Sequence, residues 1–187
     1  MPLPAPEGRS LLHTRTTVFR GYKRDDGLWD IDGDLLDTKA NALPIPEEPT
    51  LLPGEPLHGM AIRVTINDQF VIQAIAVSMD AAPHRECPQA LASMQTMVGC
   101  TMGRGWRHTI ERNLGGIDGC THLRELLFNM ATAAFQTLAH EMTEDNAQQP
   151  PPYFGTCSTW DFNGPLVARI YPQFAGWRDK GRKAVGT

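Results

Sequence analysis

The sequence predicts an α+β fold: an antiparallel sheet built from hairpins, with three helices, the longest packed across one face. Three observations carry this expectation. Up to residue 80 the apolar positions alternate in runs broken by Asp-Gly and Asn-Asp turns, from residue 88 the spacing changes to three and four residues, and Asn163-Gly164 marks a final hairpin.

Residues 1–10 are rich in proline and small polar residues and read as a frayed terminus. The β-branched run Thr16, Thr17, Val18, with Phe19 and Tyr22, predicts a strand over Thr14 to Arg24. Asp25-Asp26-Gly27 turns it into Leu28 to Asp32. Asp32-Gly33 reads as a second turn or bulge before Asp34 to Lys39. Tyr22, Arg24, Trp29, Asp30, Asp32, Asp37 and Lys39 then share one compact antiparallel unit. Prolines 44, 46, 49, 53 and 56 lack ladder donors and specify a loop. His58 to Ile66 and Phe70 to Val77 form a second hairpin around Asn67-Asp68.

Pro88 suits a first helical position, and Ala90, Leu91, Met94, Met97 and Val98 continue at helical spacing until Gly99. A second helix runs from Trp106 to Leu114, with Gly115 as its C-terminal cap. The strongest helix lies within Gly115 to Met142. Leu123, Leu126, Leu127, Met130, Ala131, Ala134, Leu138 and Met142 form one apolar stripe, and Thr121 is the expected N-cap. Residues 148–152, Gln-Gln-Pro-Pro-Pro, end it. Thr156 to Phe162 and Leu166 to Tyr171 flank the last turn, and residues 178–187 read as a second disordered tail. A length of 187 residues fits a single domain, 1–187.

Against 21 acidic residues there are 17 basic ones, which gives no cationic face for nucleic acid. No apolar run approaches the roughly 20 residues that a bilayer requires, and no leader pattern opens the chain, so the expectation is a soluble, cytoplasmic protein without a membrane partner. The composition leaves a homo-oligomer open. Cys87, Cys100, Cys120 and Cys157 are scattered and contain no Cys-x-x-Cys pair, which points to reduced thiols.

Three chemistries remain. His84, Cys87, Cys120 and His122, with Asp80, offer soft and imidazole ligands for zinc or iron. Cys120 at a helix start could act as a nucleophile. His122 in a first helical turn would keep its imidazole neutral and fit for proton transfer. Tyr22, Lys39, His58 and Arg63 are its candidate catalytic partners, and Arg24, Trp29, Trp106 and Thr121 the candidate substrate contacts. Cys100, Cys157, His13, His108 and His140 have no comparable context. Gly115-Gly-Ile-Asp-Gly119 lacks the spacing of a nucleotide loop, so no organic cofactor is expected.

Five blocks, taken together, carry a resemblance. They are Arg20-Gly-Tyr22-Lys-Arg24 to Asp37-Thr38-Lys39, His58-Gly-Met-x-Ile-Arg63-Val, Asp80-x-x-Pro-x-x-x-Cys87-Pro88, Gly105-Trp106-Arg107 and Gly119-Cys120-Thr121-His122-Leu123. With them the chain resembles the bacterial domain-of-unknown-function family numbered 2889. That resemblance implies catabolism of aromatic, lignin-derived compounds by a cofactor-independent lyase. The resulting expectation is carbon–carbon cleavage that releases formaldehyde from a small aromatic substrate. The alternative is a non-catalytic metal- or ligand-binding accessory protein with a Cys/His site.

Overall fold

The computed structural model describes residues 3–139, 149–151 and 153–177. The chain divides into two compact units, Met1–Ala139 and His140–Thr187, each described by itself.

The first unit is an α+β sandwich of one sheet and one helical layer. Strands β1 (His13–Lys23), β2 (Trp29–Lys39), β3 (Pro56–Ile66) and β4 (Ile72–Ala81) form an antiparallel meander in that order. Both hairpin turns fall where the sequence places them. Gly27 adopts a left-handed φ of 82° between β1 and β2, and the Asn67 side chain accepts backbone N–H groups of Gln69 and Val71 between β3 and β4.

One expected break does not form. Asp32-Gly33 lies inside β2, in regular register with β1 from Trp29 to Lys39. The glycine serves close approach instead: a Cβ on Gly33 would lie 2.9 Å from the Phe19 ring and 3.4 Å from Met130 Sδ. Strand and helical layer therefore meet closely over this residue, as they do over Gly21, where a Cβ would run into the Thr137 side chain of the helical layer.

The helical segments follow the predicted order with two corrections. Residues 87–97 form a 3-10 helix, Cys87–Met97, where an α-helix is expected. Its Ser93 and Thr96 hydroxyls donate to carbonyls three residues back, and Gly99 at φ 83° follows its end. Helix α1 (Trp106–Leu114) buries Trp106, Ile110 and Leu114, and helix α2 (Thr121–Leu138) buries Leu123, Leu126, Leu127, Met130, Ala134 and Leu138. The second correction concerns the cap of α2. Cys120 takes the extended N-cap conformation and its carbonyl accepts from Arg124 N, so Thr121 is already helical. Met142 of the expected stripe lies outside the described residues.

Alternation on β2 and β3 explains the core. Trp29, Ile31 and Leu35 of β2 and Met60, Ile62, Val64 and Ile66 of β3 are buried with the apolar faces of α1 and α2. The Trp106 indole donates to the Leu127 carbonyl at 2.7 Å and so joins the two helices. The intervening positions, among them Asp30, Asp32, Asp34 and Arg63, form the other face of the sheet.

In the second unit the expected hairpin around Asn163-Gly164 is replaced by helix α3, Pro165–Ile170. Asp161 accepts Asn163 N through its side chain and Gly164 N through its carbonyl, and Pro165 occupies the first helical turn, where its missing N–H costs nothing. Phe154 is buried with Val167 and Phe174, while Trp160, Tyr171 and Phe162 pack their rings around it. No helix among the described residues is long and apolar enough to cross a membrane.

Candidate active site

Strand β2 carries its apolar row one residue too far. Trp29, Ile31, Gly33 and Leu35 face the helices, and the next residue in phase is Asp37, 1% exposed. It is the one buried charged side chain among the described residues. A buried carboxylate is tolerable only when its lone pairs are filled. Register supplies the donors: Arg15 of β1 and His58 of β3 are its direct cross-strand neighbours.

Each Asp37 oxygen accepts twice. Oδ1 takes Arg15 Nε at 2.8 Å and His13 Nε2 at 3.0 Å, and Oδ2 takes Arg15 Nη2 at 2.8 Å and His58 Nδ1 at 2.9 Å. Burial pushes this carboxyl upward, but the hydrogen bonds from Arg15, His13 and His58 outweigh it and hold the group well below the usual carboxylate range. Asp37 is therefore ionised and can only accept. The facing nitrogens, His13 Nε2 and His58 Nδ1, must both carry hydrogen, so a neutral His58 presents Nε2 as a free base.

Helix α2 brings the second imidazole. His122, in its first turn, stacks on His58 with ring centroids 3.8 Å apart and planes tilted by 35°. Its Nε2 lies 3.8 Å from Asp37 Oδ2, beyond a hydrogen bond, and its Nδ1 lies 3.8 Å from Cys120 Sγ. Burial, then the proximity of His58 and Arg15, lowers the His122 pKa below its ordinary 6.5 against the pull of Asp37 and Glu125. A neutral base at pH 7 is the expectation from the sequence. Its causes here are desolvation first and then the neighbouring His58 and Arg15 side chains. Three of Arg15's nitrogens are used, two on Asp37 and Nη1 on Glu125 of α2.

The family model described as "Protein of unknown function (DUF2889)" matches residues 13–136, about two thirds of the chain. The chain belongs to this family. The DUF2889 segment begins at His13 and includes every residue of the Asp37 network, whereas the second unit lies beyond it. No curated protein and no solved structure matches the chain.

Of the predicted site residues, the DUF2889 fold brings His58 and His122 together and places Lys39 two residues beyond Asp37 on the same face of β2. It puts Arg63 and Tyr22 on the opposite face. Arg63 is 57% exposed and forks onto Asp32, and Arg24 binds Asp26 and Asp30. Trp29 and Trp106 are core side chains, at 8% and 6% exposure, and present no face to a ligand. Thr121 Oγ1 accepts from Arg124. Among the described residues, the group whose metal-ligating atoms come within 4.8 Å of one another is Asp37, His58 and His122; His84, Cys87 and Cys120 are not drawn into it.

That trio has the donor chemistry for zinc or iron. The carboxylate, however, already holds four hydrogen bonds, two of them from a guanidinium, so a cation there would have to displace a donor, Arg15 or a histidine, from one oxygen. Sequence reasoning missed Asp37, His13, Arg15 and Glu125 as site residues. The available signal was an aspartate in phase with Ile31 and Leu35, facing His58 and Arg15 across two hairpins.

Proposed function

We propose that the DUF2889 unit is a cofactor-independent lyase whose acid–base centre is the His58–His122 pair set on Asp37. The observation that carries this is a neutral imidazole, His122, stacked on a second imidazole whose tautomer a buried carboxylate fixes. The aromatic, lignin-derived substrate class rests on the family resemblance.

In this reaction His122 takes the proton of a primary alcohol. The bond between the hydroxymethyl carbon and its neighbour breaks, and formaldehyde leaves. The electron pair left on that neighbour forms a double bond as an oxygen departs from the next carbon. His122 returns its proton to that oxygen, so atoms and charge balance without an oxidant or reductant. Lys39, the one catalytic candidate besides the two histidines on this face, and the exposed edge of Arg15 are the cations available to the departing oxygen. The four free cysteines suit a cytoplasmic setting.

Purified protein given diaryl substrates with such an alcohol should release formaldehyde, and His122→Ala or His58→Ala should slow release about 10²- to 10⁴-fold. Silence from a broad panel of these substrates would remove the lyase. The convergence of Asp37, His58 and His122 favours a second reading, a metal-binding accessory protein. Stoichiometric zinc or iron in the purified protein, lost in His58→Ala, would put that reading first.

A further inference from the structure

His122 and Glu125 are three residues apart, on one side of the first turns of α2. Arg15 lies directly opposite Asp37 in the β1–β2 register. Its guanidinium divides its planar donors: Nε and Nη2 fork onto Asp37 in the sheet, and Nη1 reaches Glu125 on the helix. One rigid group thus ties the strand that holds His58's partner to the helix that holds His122. Elsewhere in the first turns of α2, His122 stands 3.8 Å from Asp37, beyond a hydrogen bond, and Arg124 pairs with Glu111 of α1 and not with the sheet.

We propose that Arg15 and Glu125 are positioning residues which latch the start of α2 onto the sheet at the spacing that stacks His122 on His58. The consequence for turnover rests on the lyase reading; the geometric claim does not. A lysine could not do this work, because a point charge cannot span two carboxylates with a fixed fork. The groups around His122 are Arg15 from β1, Asp37 from β2, His58 from β3, and Cys120 and Glu125 from the start of its own helix, with His13 bound to the other oxygen of Asp37.

Glu125→Ala tests the latch in the full chain by NMR. In the wild type the ring protons of His58 and His122 should show a strong mutual Overhauser contact. In Glu125→Ala that contact should weaken severalfold, and the His122 titration should move up toward an ordinary histidine as the ring is released from its stack. Glu125 acting only as a nearby negative charge predicts the opposite direction, a further fall on its removal, with the ring contact intact. That result, or no change, overturns the proposal. Glu125→Asp, which keeps the charge on a shorter arm, should restore part of the contact. Arg15→Lys, which keeps charge beside Asp37, should reproduce the loss and serves equally if Glu125→Ala does not fold. Formaldehyde assays run in parallel should show kcat falling roughly 10- to 100-fold in Glu125→Ala with KM less affected. A ring contact that responds in a protein releasing no formaldehyde would retain the latch and remove the lyase.

Discussion

The two faces of the sheet carry the same pairing, an arginine forked onto an aspartate of β2. On the open face Arg63 holds Asp32 at 2.7 and 2.8 Å; on the helix face Arg15 holds Asp37 at 2.8 and 2.8 Å. The geometry hardly differs, and the surroundings differ completely. Asp32 keeps water within reach, while Asp37 closes an apolar row and must find its solvation in protein donors. Chemistry arises from that demand. A carboxylate starved of water collects His13 and His58 as donors, fixes their tautomers, and so turns one face of the sheet into a site.

Removing Asp37 should therefore produce the largest effect in the molecule. Asp37→Ala leaves Arg15 facing a desolvated gap and strips two histidines of their acceptor. The expected loss is about 3–5 kcal/mol in denaturant unfolding, the range for breaking a buried pair by deleting one partner. A loss no larger than that of Asp32→Ala would erase the distinction between the faces.

Acid should divide the faces next. Because burial, His58 and Arg15 hold His122 below its ordinary 6.5, the unfolded chain binds a proton there more readily than the folded one. Stability from this group is full above pH 6.5 and declines as pH falls from there toward the lowered folded value. Asp37 acts in the same direction further down, since its depressed folded value makes its contribution complete above the ordinary 3.8 and lost as pH falls below it. Unfolding free energy followed from pH 8 to 3 should show both declines, and the upper one should be missing from His122→Ala whatever that variant's absolute stability. A wild-type curve flat between pH 7 and 5 would mean that His122 titrates as an ordinary histidine.

Much of this architecture was legible in the sequence because local signals agree with tertiary ones. The two hairpin turns, the helix from Trp106 to Leu114 and the apolar stripe from Leu123 to Leu138 each follow from spacing that no neighbour overrides. Gly33 and Asn163-Gly164 misled, because a glycine that admits the Phe19 ring and one that precedes a helix-starting Pro165 look in sequence like turns. In the site, His122 and His58 were recognisable as residue types. Asp37 was not, since its meaning depends on facing. An aspartate on a hairpin strand reads as solvated until the phase set by Ile31 and Leu35 is carried through to it. Arg63 misled for the reverse reason: an arginine within an apolar strand drew notice, yet it points away from the helices.

The smallest effect belongs to that arginine. Arg63→Ala removes a well-formed fork, but its side chain is 57% exposed, and both ends regain water when they part. Exposed pairs gain little because the Coulomb term is screened and the ordered side chains lose rotamer freedom. The denaturation midpoint should stay close to wild type, and any difference should shrink in 1 M salt. Formaldehyde release should also persist, because the sheet stands between Arg63 and His122. Should Arg63→Ala abolish release from a folded protein, the acid–base centre would have to be sought on the open face with Asp32 and Tyr22, and the Asp37 network would revert to an element of stability alone.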